Sequence, residues 1–163
     1  MGCGTAVATV ALHVLKGRGV IPPSVRLQVL DYNETVIREQ TLPNLRLNGV
    51  DLDAASWGDW KGLGEGYGDD MVVVTCETVY TRAKCEELCE LFRRVRPRAV
   101  VMAGKRFYFG LDGGVQVFRG MVEEGGWGRV TEVAVWDNGS GNIRECIVVD
   151  QIREVEDGKT QRS

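Results

Sequence analysis

The spacing of apolar and polar residues changes several times along this chain, and each change marks an element. Val25-Arg26-Leu27-Gln28-Val29-Leu30 alternates with period two and predicts a strand. Asp31 stands at its C-terminal end, and a helix is expected from Asn33 until Pro43, which tends to stop it. Residues 5–15 are apolar nearly all round, which predicts a helix buried on most of its faces. Met71-Val72-Val73-Val74 is a continuous apolar run of the kind found in strands covered on both faces of a parallel sheet. In residues 82–95 the apolar positions 85, 88, 89, 92 and 95 form one helical stripe, with charges at 86, 87, 90, 93 and 94. Pro97 closes that helix, and Ala99–Ala103 reads as another buried-type strand. A helix is expected over Val115–Glu124. Thr131–Trp136 and Ile143–Ile152 then predict an antiparallel hairpin across Asp137-Asn138-Gly139-Ser140-Gly141.

Strands alternating with helices predict an α/β fold, and ligands of open α/β sheets bind at the C-terminal ends of strands. Three stretches fall there. Gly2-Cys3-Gly4 is a glycine-rich turn ahead of a helix, whose N-terminus would aim free N–H groups at a ligand. Asp31, one unit later at a strand end, is placed to bind ribose hydroxyls. Thr75, Cys76, Glu77 and Tyr80 follow the valine run. Two further stretches have open readings. Gly58-Asp59-Trp60 offers an acidic edge and a flat ring to a base, or is an exposed turn with a half-buried tryptophan. Lys105-Arg106-Phe107-Tyr108-Phe109-Gly110 either prolongs the strand or forms an aromatic rim over a site.

Composition narrows the class. The 163 residues fit one domain, with 44% hydrophobic and 26% charged residues, as in ordinary globular proteins. A net charge of −3 gives no nucleic-acid footprint, and no apolar run is long enough to span a membrane. The five cysteines include no C-x-x-C pair, and Cys85 and Cys89 read as small buried groups on a helix, which suggests a reducing, intracellular compartment. The single histidine, His13, has no neighbours with which to hold a metal and is expected in or near the core. The domain is expected over residues 1–153, with 154–163 a polar tail.

A dinucleotide dehydrogenase fits poorly, because Val7 stands where the third glycine of its fingerprint would fall. The order of elements resembles instead the Rossmann-like seven-β-strand fold of methyltransferases that use S-adenosylmethionine. More narrowly, several segments together resemble the histidine protein methyltransferases. They are Gly2-Cys3-Gly4-Thr5-Ala6, Asp31-Tyr32-Asn33 with Thr41-Leu42-Pro43-Asn44, Gly58-Asp59-Trp60, Glu77-Thr78-Val79-Tyr80, and Lys105 to Gly114. The resemblance implies S-adenosylmethionine as cofactor, held by Gly2, Cys3, Gly4, Asp31, Tyr32, Asp59, Trp60, Thr75 and Cys76. It implies Glu77, Tyr80 and Tyr108 beside the transferring methyl, and Phe107 and Phe109 in the acceptor pocket. It implies no metal, no direct contact with nucleic acid and no membrane. The implied substrate is a histidine of a large-subunit ribosomal protein, methylated by a monomer in cytoplasm and nucleus.

Two rivals belong beside this reading. A lysine methyltransferase of the same broad group would carry Asp-x-x-Tyr where this chain has Glu77-Thr78-Val79-Tyr80. A cofactor-free interaction module would keep the outline without the activity. The family also carries a strand ahead of the glycine turn, with an acidic residue that contacts the cofactor. That strand is absent from these residues, so the expectation is a mostly parallel sheet lacking its first, central strand, and poor folding of residues 1–163 alone. Glu77 has an ordinary reading too, as a salt bridge or cap.

Overall fold

The computed structural model describes residues 1–52, 54–60, 70–139 and 141–152. The tail expected at 154–163 and Ser140 of the hairpin turn lie outside the described residues. The chain divides into two compact units, Met1–Gly62 with Val74–Cys76, and Leu63–Val73 with Glu77–Ser163.

The first unit begins with the glycine turn and α1 (Val7–Gly17). Strand β1 (Gln28–Asp31) follows, and pairs in parallel with β2 (Ala54–Trp57). Between them, Asn33 caps α2 (Glu34–Val36) by accepting a hydrogen bond from the Thr35 N–H. The helix does not stop before Pro43, as its sequence suggests. It widens into a π-helical turn over Ile37–Thr41 and runs on as α3 (Leu42–Leu47). The Leu42 N–H reaches back five residues to the Ile37 carbonyl. Widening changes the bonding register, so proline's missing N–H and its clash with the preceding turn are absorbed there.

Ala6, Val29, Ile37, Leu45 and Val50 form the buried core of this unit, with Cys3, Val10, Leu42, Leu52 and Ala55 packed against it. The expectation that α1 is buried on most faces fails. Val7, Val14 and Leu15 are exposed, and Thr9 is the buried residue of the helix. Ala6 and Val10 meet the core of this unit. His13 is partly buried, as expected.

In the second unit a sheet of four strands has the order β3-β4-β6-β5, where β3 is Val72–Cys76, β4 Ala99–Lys105, β5 Arg129–Trp136 and β6 Arg144–Asp150. The first of these strands also contributes Val74–Cys76 to the first unit. Strand β6 lies between β4 and β5 and is antiparallel to both, so the predicted hairpin is present. The register slips by one residue between Glu132 and Ala134, a bulge that puts Val133 out of the ladder. The valine run is not covered on both faces as expected. Val73 and Thr75 are buried while Val72 and Cys76 are exposed, so alternate side chains point to a covered face and to an open one. Strands β1 and β3 fall in different sheets. Within the first unit the chain ahead of α1 reaches both, as the Cys3 N–H donates to the Leu30 carbonyl and the Met1 amino group to the Val74 carbonyl.

Helix α4 (Arg82–Val95) follows Thr81, whose hydroxyl caps it by accepting from the Lys84 N–H. Its buried face is the predicted stripe plus Leu91. The next helix, α5 (Val115–Gly125), buries Val115, Phe118 and Val122. Phe118 has no exposed surface and meets Phe92 and Trp127 edge-on, with ring centroids 6.2 and 6.3 Å apart. Burial pushes the Cys85 thiol up and that of Cys89 up to about 12, so both remain protonated and apolar. Phe118→Ala is expected to destabilise the protein by about 3–5 kcal/mol. Denaturant unfolding measures this, and a loss under about 1 kcal/mol would mean that the aromatic stack does not hold α5 to the sheet.

Candidate active site

Every predicted cofactor residue belongs to the first unit, and every predicted catalytic or acceptor residue to the second.

In the first unit the side chain of Asp31 is the junction. One carboxylate oxygen accepts the Gly4 N–H at 3.0 Å, and the other accepts the Asn33 N–H at 3.1 Å. Its carbonyl accepts the Gly58 N–H at 3.1 Å, which brings the Gly58-Asp59-Trp60 turn to the same strand end. Gly2 and Gly4 have φ of 58° and 49°, where a side chain is strained. A Cβ at Gly4 would meet nothing within 4 Å, so this edge of the turn is open. Helix α1 starts at Val7 rather than directly after Gly4, because Ala6 turns left-handed (φ 64°) and returns its N–H to the Cys3 carbonyl. No side chain caps its N-terminus.

Two residues quoted for their motif gain a physical role. Thr41 donates its hydroxyl to the Gly4 carbonyl at 2.5 Å, and the Asn44 amide donates to the Thr5 carbonyl at 3.0 Å. The helix around Pro43 thus braces the glycine turn. Cys3 lies 3.5 Å from the Thr41 hydroxyl, and burial raises its thiol above the ordinary range. Tyr32 and Asp59 are exposed, whereas Trp60 is buried, more deeply than a half-buried turn tryptophan would be. Thr75 is buried and Cys76 exposed at the end of β3.

In the second unit Glu77 turns left-handed, with φ 56°, and its N–H donates to the Ala103 carbonyl. A non-glycine residue held there stores strain of order 1–3 kcal/mol, a cost found often at functional sites. Tyr108 donates its hydroxyl to one carboxylate oxygen of Glu77 at 2.5 Å, and the Arg144 Nε donates to the other at 3.1 Å. Gly104 makes room for this, since a Cβ there would stand 3.4 Å from the Tyr108 hydroxyl. Lys105 lies over the Tyr108 ring, 5.5 Å from its centroid.

The aromatic segment takes the rim alternative, because β4 ends at Lys105 and Phe107 and Phe109 are exposed. Its base is anchored by Glu145, a carboxylate with no exposed surface that accepts from the Arg106 guanidinium and, at 2.5 Å, from the Gln116 amide. Gly113 presses its backbone onto Val79-Tyr80-Thr81, where a Cβ would come within 2.4 Å of backbone atoms. That approach sets the aromatic loop beside Tyr80. Arg144, Glu145 and Gln116 were not singled out by sequence pattern. The usable signal was Glu145, a charge in phase with the buried Ile147 and Val149 of β6.

No protein-family model matches the chain. It is 28% identical over 125 residues to the histidine protein methyltransferase 1 homolog of Dictyostelium discoideum, an alignment covering 73% of this chain. The chain spans 40% of that protein's length. An S-adenosylmethionine-dependent methyltransferase, SibL, superposes with a TM-score of 0.63 and 17% identity, covering 93% of this chain and 49% of SibL. The chain has the fold of S-adenosylmethionine-dependent methyltransferases. An O-methyltransferase family protein from Burkholderia thailandensis gives a TM-score of 0.62 at 15% identity, over 91% of this chain and 49% of its own. The PH0226 protein of Pyrococcus horikoshii OT3 gives 0.63 at 12% identity, over 91% and 78%. Asp31 and Cys76 stand at the C-terminal ends of β1 and β3 and Gly2–Gly4 in the turn before α1, and strand ends of this kind are where open α/β sheets bind ligands.

The Tyr108 phenol is displaced upward by burial first, then by the hydrogen bond and charge of Glu77, and lies well above the ordinary tyrosine range. A pKa raised on folding contributes stability that is complete below the unfolded value, about pH 10, and is lost as pH climbs through the folded value. Ultraviolet titration, with Tyr108→Phe assigning the signal, should show the Tyr108 phenol ionising above the ordinary tyrosine range, and Glu77→Gln should bring it down. An unchanged titration in Glu77→Gln would mean that burial alone holds the phenol protonated.

Proposed function

We propose that this chain is the catalytic part of a protein-histidine N-methyltransferase that acts, as a monomer in cytoplasm and nucleus, on a large-subunit ribosomal protein. The observation that carries the cofactor reading is Asp31. Each of its oxygens accepts one backbone N–H, and a carboxylate has further lone pairs for two ribose hydroxyls. The open edge at Gly4 and the uncapped start of α1 suit the methionine carboxylate, and Tyr32, Asp59, Trp60, Thr75 and Cys76 complete the set. These residues fit S-adenosylmethionine, which when bound supplies an electrophilic methyl on a sulfonium.

The acceptor reading draws on the second unit and on the name of the Dictyostelium relative. Methyl transfer is an in-line displacement, so the protein's main task is to hold two reactants in line. A free histidine has a pKa of about 6.5 and is mostly neutral and nucleophilic at pH 7. It needs orientation rather than a strong base. A lysine, with pKa about 10.4, must first lose a proton. Glu77, Tyr108 and Arg144 form an orienting cluster, with Tyr80, Phe107 and Phe109 as apolar walls for the ring.

Incubation of the protein with S-adenosylmethionine and large ribosomal subunits, followed by mass-spectrometric mapping, should place a methyl group on a histidine. A methyl on lysine, or no transfer at all, would contradict the proposal. Asp31→Ala should weaken S-adenosylmethionine binding by about 1–3 kcal/mol in calorimetry, the scale for losing a charged hydrogen-bond partner. Equal affinity would remove Asp31 from the cofactor site.

A further inference from the structure

The cluster around Glu77 has a fixed hydrogen-bond direction. A carboxylate only accepts, so the short bond between Glu77 and Tyr108 must use the phenol's own proton. Tyr108 has no second proton to give. Its oxygen offers lone pairs alone. Each oxygen of Glu77, meanwhile, accepts one bond, from Tyr108 and from Arg144, which fixes the direction of the carboxylate. Arg144 stands at the first position of β6, directly across the ladder from Lys105, the last residue of β4. Its guanidinium therefore reaches Glu77 from the strand that also carries Glu145, and Glu145 pins Arg106 at the foot of the loop bearing Tyr108.

We propose that Tyr108 accepts the N–H of the non-reacting nitrogen of the incoming imidazole, and that Arg144 is the positioning residue that fixes Glu77 for this purpose. This rests on the reading of the second unit as the acceptor side. The chain of bonds runs from imidazole N–H to the Tyr108 oxygen, from the Tyr108 O–H to Glu77, and from Arg144 to Glu77. Only one tautomer of a neutral histidine can enter it, because the nitrogen facing Tyr108 must carry the proton. The other nitrogen then presents its lone pair for reaction. An imidazolium could also donate to Tyr108 but would have no lone pair left to react. No proton leaves the cluster before transfer. The imidazolium formed by methylation releases its N–H proton to solvent afterwards.

The test uses the full chain with its tyrosines carrying carbon-13 at the ring carbon bonded to the hydroxyl, four sites in all, with Tyr108→Phe assigning the resonance. Arg144→Gln should move and broaden the Tyr108 signal, and Arg144→Lys should restore part of it. In the transfer assay on large ribosomal subunits, Tyr108→Phe and Arg144→Gln should each lower kcat/KM for the protein substrate by about 10- to 100-fold, the scale of a small misplacement of reacting groups. Affinity for S-adenosylmethionine should stay unchanged by calorimetry. In a Glu77→Gln background Arg144→Gln should add no further loss, since it acts through Glu77. Full activity of Tyr108→Phe, additive losses, or a Tyr108 signal indifferent to Arg144 would overturn the proposal. If the parent protein methylates no histidine while the signal still answers to Arg144, the imidazole assignment falls and the hold of Arg144 on Glu77 stands.

Discussion

The first unit depends on one carboxylate. Asp31 ends β1, accepts the N–H that opens the next helix, accepts the N–H of Gly4, and through its carbonyl receives the turn after β2. Charge-assisted bonds to backbone N–H groups are among the stronger local restraints, so the glycine turn, β1 and β2 are tied at a single residue. Thr41 and Asn44 brace the same turn from the helix that follows. Removing the carboxylate would loosen the turn as well as delete the acceptor on which the proposed cofactor reading rests.

The second unit uses two adjacent residues of β6 in the same economical way. Successive side chains of a strand face opposite sides, which sends Glu145 inward to Arg106 and Gln116 while Arg144 faces Glu77. Leaving a buried charge without its partner is costly, so the base of the aromatic loop has little freedom. Phe107 and Phe109 can then stand in solvent, an unfavourable place for bare rings, because the backbone beneath them is held by other groups.

Much of this was legible in the residue pattern where several signals agreed. Helix α4 had a stripe, a charged opposite face and a following proline, and it spans Arg82–Val95 as read. The hairpin had two alternating strands and a glycine-rich turn. Strand β2 was missed because Ala54-Ala55-Ser56-Trp57 has neither alternation nor β-branched residues, and pairing with β1 decides its conformation. The proline rule failed at Pro43 because a helix can widen as well as stop. The apolar circumference of α1 overstates its burial, since it does not say how many sides find a partner. For the candidate site, Asp31 and Glu77 were readable as residue types at strand ends, and Tyr108 only through the resemblance. Their bonds were not, because Arg144 lies 67 positions from Glu77 and only the β4–β6 register brings its strand alongside.

The central claim is that the strand ends tied at Asp31 hold S-adenosylmethionine. Amide hydrogen exchange, followed by mass spectrometry with and without the cofactor, reads this most directly, because it reports where the backbone becomes ordered. The account predicts slower exchange at residues 2–10, 30–33, 58–60 and 74–76, with helix α5 and strands β5 and β6 unaffected. Exchange unchanged by the cofactor, or protection confined to the second unit, would contradict it.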